Sequence, residues 1–220
     1  MKRLLPPLTL LSAVLAILAL DVLHWPPELG AALKGLTTVL VIAWAWPRGK
    51  DLPMVRRFVL AGLLASLVGD LALMFPSGFI PGLLAFLAAH LAYLWGFTRV
   101  QRFAAWPPVF AAYGALAAVV LSYLWPGIAE GLRVPVVAYV LCLASMAAQA
   151  GVIAWRARNT ADAKNTTMLA FGGLMFFCSD GLLATNKFAG PVPLAAMLVL
   201  PTYWTAQWCI ASWLKPREEG

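Results

Sequence analysis

The sequence predicts an all-α, polytopic membrane protein: one domain over residues 1–220, with eight transmembrane helices and both termini in the cytoplasm. Three observations carry that prediction. Of the 220 residues, 62% are hydrophobic and only 11% charged, with a mean hydropathy of +0.83. Turn residues cut the chain into eight apolar runs. Basic residues gather at alternate connections between those runs. A soluble domain runs at about 45–50% apolar and about 25% charged, and a disordered chain needs the opposite balance. Both classes are excluded.

At about 20 residues per membrane-spanning helix, the runs fall at 4–23, 28–46, 55–75, 79–98, 105–125, 132–155, 165–186 and 193–214. Little chain is left for a separate soluble domain. Pro26-Pro27, Pro47-Arg48-Gly49-Lys50, Pro76-Ser77-Gly78, Pro107-Pro108, Pro126-Gly127, Asn159-Thr160 and Gly190-Pro191 separate them through lost backbone donors or added backbone freedom. The runs are about twice the length that a tilted barrel strand needs and lack two-residue alternation, so they read as helices. The first follows Met1-Lys2-Arg3 as a signal peptide would. Its apolar part outlasts a usual signal core, and no small-x-small cleavage site precedes Asp21, so it reads as a span. Cys142, Cys178 and Cys209 all lie in apolar runs without CxxC spacing, which suggests neither a disulfide framework nor a thiolate metal site.

Orientation follows from the lysines and arginines. One side collects Lys2 and Arg3; Arg48, Lys50, Arg56 and Arg57; Arg99 and Arg102; Arg156, Arg158 and Lys164; and Lys215 and Arg217, thirteen of the 16. The other side has Arg133 and Lys187, while Lys34 lies within a run. This bias makes the basic side cytoplasmic; the expected location is a bacterial inner (plasma) membrane. The formal charge of +7 reads as topology and attraction to anionic headgroups, not as a nucleic-acid footprint.

An ionisable side chain in the hydrocarbon region costs a few kcal/mol or more, so such residues are rare and usually functional. Lys34, Asp70, His90, Asp180 and Lys187 are the candidates. Gly62, Ser66 and Asp70 recur every four residues and form one helical stripe, as do Gly82, Phe86 and His90, with Tyr93 just beyond. Ser179 precedes Asp180, Asn186-Lys187 closes the same run, and Tyr203 and Gln207 are an i,i+4 pair. At about 1.5 Å rise per residue, Lys34, Asp70 and Asp180 sit roughly 8–9 Å below the non-cytoplasmic end of their helices. His90 and Tyr203 lie deeper, near the midplane. Matched depths on separate helices point to one polar pocket opening toward the outer leaflet.

Plainer readings stand beside this one. Lys34 and Asp70 can neutralise one another as a structural pair, and Ser66 or Tyr203 can be interhelical glue. His90 can be a satisfied core histidine, and Lys187 can snorkel to the interface. Asp21, His24 and Glu28 read as a solvated loop. A zinc hydrolase wants three protein ligands, commonly histidines, and the chain has two. A proton-coupled transporter or lipid-binding protein could use the same buried charges, but the paired Gly/Pro helix breaks of a transporter are lacking.

These motifs resemble the YhhN/lysoplasmalogenase family. The resemblance rests on Ser66-Leu67-Val68-Gly69-Asp70, on Gly82, Phe86, Leu87, His90 and Tyr93, on Phe177, Ser179, Asp180, Ala184, Lys187 and Phe188, and on Tyr203, Ala206 and Gln207. Lys34 with Thr37-Thr38 resembles a further motif, in which Gly35 stands where a proline is expected. The likeness runs from about residue 30 to 210, and it implies an eight-span hydrolase that cleaves the vinyl ether bond of lysoplasmalogens. The products would be a fatty aldehyde and glycerophosphoethanolamine or glycerophosphocholine. The partners would be a lysophospholipid and the bilayer, with no cofactor and no metal.

Vinyl ether hydrolysis begins with protonation of an alkene carbon, giving an oxocarbenium ion that water traps. It therefore needs a carboxylic acid and a second anion. Asp70 and Asp180 are the expected pair; the sequence leaves open which plays which part. Two carboxyls in one low-dielectric pocket can divide the roles because like charges repel, as glycosidases divide them in a related problem. Lys34 would neutralise one carboxylate or bind the headgroup phosphate. Ser66, His90, Tyr93, Ser179, Lys187, Tyr203 and Gln207 would bind or orient the substrate, the water and the acids.

Overall fold

The computed structural model describes residues 3–23 and 25–216. Lys2, His24 and Arg217, which entered the expectations above, lie outside them. Among the described residues there are eight α-helices and no strand. They are α1 (Leu5–Ile17, continued by a wider π turn over Leu18–Val22), α2 (Pro27–Ala45), α3 (Pro53–Ala72), α4 (Phe79–Thr98), α5 (Pro107–Leu124), α6 (Glu130–Ala157), α7 (Ala163–Phe188) and α8 (Ala195–Trp213). Each corresponds to one apolar run. Proline opens α1, α2, α3 and α5, where its missing N–H would have no helical partner anyway. With 28 and 26 residues, α6 and α7 overrun the expected 132–155 and 165–186 at both ends.

Six helical segments are long and apolar enough to cross a membrane: Leu5–Val22, Glu28–Ala45, Phe79–Thr98, Pro107–Gly127, Glu130–Ala157 and Ala163–Phe188. The others, α3 and α8, have 20 and 19 residues but a weaker apolar signal. Arg56, Arg57 and Asp70 interrupt α3, and Thr202, Tyr203, Thr205 and Gln207 dilute α8.

Small residues bring the helices together. A Cβ on Gly62 would stand 2.3 Å from the Tyr93 ring, and one on Gly69 would stand 2.6 Å from Phe86. These two contacts fix an antiparallel register in which His90 lies opposite Ser66. Gly172 meets Cys209 and the Ala206 carbonyl across α7 and α8, and Gly173 meets Ala147 across α7 and α6. Helix α4 also packs on α6, α2 on α3 and α8, α1 on α2, and α5 on α6. Between α1 and α2 the hydroxyls of Ser12 and Thr37 meet at 2.8 Å.

At one end of the bundle, side chains and loops tie the chain to itself. Arg48 Nη1 donates to the Leu214 carbonyl at 3.0 Å, and Arg156 Nη2 donates to that of Ala105 at 2.9 Å. Gln149, fully buried, donates to the Gln101 carbonyl and accepts from the Ala104 amide. Lys215 pairs with Asp162 at 3.1 Å. At the other end Asp21 departs from the loop reading. Its Oδ2 accepts from the Met197 amide at 2.7 Å, which caps the start of α8 with a negative charge.

Candidate functional site

Helix α3 presents Asp70 to α2 and α8. On α2, Lys34 and Thr38 are one turn apart and reach the same carboxylate. Lys34 Nζ lies 3.0 Å from Asp70 Oδ1, and Thr38 Oγ1 donates to Oδ2 at 2.7 Å. From α8 the Tyr203 hydroxyl donates to Oδ2 at 2.8 Å, and Trp204 Nε1 steadies Thr38 Oγ1 at 3.4 Å. Asp70 is 1% exposed, so its charge is balanced by an ammonium and two hydroxyls rather than by water.

Asp180 on α7 has different company. Tyr139 of α6 donates to Oδ2 at 2.5 Å, and His90 Nε2 from α4 lies 3.0 Å from the same oxygen and 3.0 Å from the Tyr139 hydroxyl. Both contacts fall on Oδ2. No lysine or arginine pairs with Asp180 among the described residues.

The expected single constellation is therefore two clusters. Among the described residues the carboxylates share no hydrogen-bond partner. Aromatic rings link their surroundings: Tyr203 meets Phe86 edge-on at 5.8 Å and Phe176 at 5.6 Å, and Phe176 meets His90 at 4.7 Å. Each aspartate also lines its own cavity. One, of about 540 Å³, is bordered by Lys34, Asp70, Asn186 and Lys187. The other, narrow at about 60 Å³, is almost wholly apolar and has Asp180 and Tyr139 in its wall. Leu73, Phe79 and Leu183 border both, so the cavities abut.

The remaining expected residues divide. The Tyr93 hydroxyl donates to Gln207 Oε1 at 2.6 Å; the two hold each other and touch neither carboxylate. Ser179 Oγ donates to the Val199 carbonyl at 3.1 Å, which ties α7 to α8 rather than orienting Asp180. Lys187 is exposed, its Nζ 4.8 Å from the centre of the Phe79 ring at the mouth of the polar cavity. Ser66 Oγ, His90 Nδ1 and Gln207 Nε2 are buried without a protein partner among the described residues. Such atoms are uncommon in native cores and suit ordered water.

Sequence reasoning missed Tyr139 and gave Thr38 no role of its own. Tyr139 had a signal: it falls mid-helix rather than in the interfacial belt where tyrosines collect. Among the described residues no three His, Cys, Asp or Glu side chains come together as a metal site would require.

Comparison with known proteins agrees with the resemblance. Lysoplasmalogenase TMEM86B of Homo sapiens is 32% identical over 197 residues, covering 83% of this chain and 76% of that protein. Its Mus musculus counterpart is 28% identical over 211 residues, covering 94% and 84%. The lysoplasmalogenase of Mycobacterium bovis is 30% identical over 189 residues, covering 79% of this chain and 64% of that protein. No solved structure matches significantly. The YhhN family model matches residues 29–214, the stretch that contains every residue of both clusters, and the chain belongs to the YhhN family.

Proposed function

We propose that this protein is a membrane-embedded hydrolase that cleaves the vinyl ether bond of lysoplasmalogen, releasing a fatty aldehyde and glycerophosphoethanolamine or glycerophosphocholine. The observation that carries this reading is the pairing of cavities. A polar cavity with Lys34 and Asp70 abuts an apolar cavity with Asp180 across a border of Leu73, Phe79 and Leu183. A single-chain amphiphile has the same division, and its vinyl ether lies at the junction between head and chain.

In the proposed mechanism Asp180 is the acid. Its carboxyl proton passes to the alkene carbon one removed from the ether oxygen, and the π electrons form the new C–H bond. Positive charge then spreads over the adjoining carbon and the oxygen. Asp70, held as one partner of an ion pair with Lys34, supplies compensating negative charge. Water adds to the cationic carbon and loses a proton to a carboxylate, giving a hemiacetal. Breaking its bond to the glycerol oxygen, with proton return, yields aldehyde and alcohol. General acid catalysis of this kind typically contributes about 10²–10⁴-fold, and preorganised charge about 10²–10³-fold. Tyr139 and His90 position Asp180 through Oδ2; Thr38 and Tyr203 position Asp70. Tyr93 and Gln207 hold the packing beneath, and Lys187 at the cavity mouth can meet the headgroup phosphate.

We propose further that α3 and α8 also cross the membrane, giving eight spans in one domain over residues 1–220 with cytoplasmic termini. Arg48, Arg156 and Lys215 at the tied end of the bundle support that orientation. The mycobacterial relative supports a bacterial inner (plasma) membrane as its location. The test is purified protein offered lysolipids with vinyl ether, alkyl ether and ester linkages. Free aldehyde from the vinyl ether alone is expected; fatty acid from the ester with no aldehyde would overturn the reading.

A further inference from the structure

The apolar cavity has two polar residues in its wall, Asp180 and Tyr139, both at the proposed reacting end. Beyond them the wall is aliphatic and aromatic, contributed by α4, α5, α6 and α7 through residues such as Leu83, Leu124, Val140 and Phe177. Most glycines on these helices mark close packing: Gly172 and Gly173 have neighbours within 3.1 Å of a built Cβ. Gly181 does not. It lies next to Asp180 in the cavity wall, and a Cβ there meets no heavy atom within 4 Å. Ala184, three residues on and so on the same helical face, borders the same space. Small side chains at 181 and 184 thus keep the cavity open where nothing in the packing requires them.

We propose that this cavity is the binding site for one unbranched aliphatic chain, and that Gly181 and Ala184 set how long a chain it takes. The site is bordered by helices on several sides and has no polar side chain beyond its reacting end, so methylene groups that enter it leave no polar group unsatisfied. The adjoining cavity, with Lys34, Asn186 and Lys187, is the only one of the two suited to a phosphate headgroup. The catalytic part of this inference rests on the vinyl ether hydrolase reading; the binding part does not. Burying a methylene contributes about 0.8 kcal/mol, which is about fourfold in affinity or kcat/KM at about 1.4 kcal/mol per decade. A side chain that excludes two or three methylenes should therefore cost tenfold or more.

The experiment compares the full-length protein with Gly181→Leu and Ala184→Leu on lysoplasmalogens of graded chain length. It also measures binding of the matching alkyl ether lysolipids, which cannot be hydrolysed by this route. In the wild type, affinity is expected to rise with chain length. Either leucine variant is expected to lower the long-chain to short-chain ratio of kcat/KM at least tenfold, and to flatten the chain-length dependence of binding. If Gly181→Leu does not fold, Ala184→Leu and the smaller Gly181→Ala carry the test, the last with a smaller shift in the same direction. Folded variants that keep the wild-type chain-length profile in both assays would overturn the inference. A wild type that releases no aldehyde, yet binds longer chains more tightly and loses that dependence in the variants, would overturn the hydrolase reading and uphold the chain site.

Discussion

Asp70 and Asp180 are the same side chain on two helices of one bundle, yet their surroundings differ in kind. Asp70 has a cation, two hydroxyls and a polar cavity around it. Asp180 has a tyrosine, a histidine and an apolar cavity. In a low-dielectric interior such differences decide what a carboxyl meets: Asp70 faces an ammonium, and Asp180 faces the space suited to an apolar chain. In the proposed mechanism one residue type supplies both an acid and a counter-charge, because the partners differ rather than the carboxyls.

Removing either carboxyl is expected to have the largest effect. Asp180→Asn should lower aldehyde release by about 10³-fold with thermal unfolding in detergent little changed, and Asp70→Asn by about 10²-fold or more with a loss of stability as well, because Lys34 loses its partner. The next effect separates the clusters by stability. Lys34→Met leaves the Asp70 charge buried without its cation, a change that costs about 3–5 kcal/mol. Adding Asp70→Asn should restore most of that stability without restoring activity. Its absence would mean that the Lys34–Asp70 pair is not the balanced ion pair its geometry indicates. At the tied end of the bundle, Gln149→Leu strands the Ala104 amide that it now satisfies. It should lower stability by about 1–3 kcal/mol while leaving the kcat of the folded fraction unchanged. Tyr139→Phe removes one donor to Asp180 and should slow turnover about tenfold with KM little altered. Ser179→Ala should change turnover least, by about threefold or less, since its bond goes to α8 and not to a reacting group.

Much of this was legible in the sequence, for identifiable reasons. The eight helices follow from apolar runs cut by proline and glycine, because a bilayer leaves the backbone no other partner than itself. The buried charges announced the site, because burying them is costly. The Lys34–Asp70 pairing was one of the readings that matched depth left open, beside phosphate binding by Lys34. The separation of the two aspartates was not. Depth comes from residue number, but the direction a side chain faces depends on how α3, α4, α7 and α8 pack, and that is set by contacts such as Gly62 against Tyr93 and Gly172 against Cys209. Tyr139 escaped because an uncharged residue in an apolar helix costs little and so leaves little trace. The polar residues that weaken the membrane signal of α3 and α8 include Asp70, Tyr203 and Gln207 from the site itself. The same residues that form the two clusters lower the apolar character of the helices that present them.

The central claim is that the two aspartates, apart as they are, serve one transition state. Single-turnover aldehyde release by Asp70→Asn, Asp180→Asn and the double variant tests it most directly. Groups that act as a unit have strongly non-additive losses, so the double variant should be about as slow as the slower single variant. Full wild-type rates in either single variant, or losses that simply multiply in the double, would contradict a shared reaction.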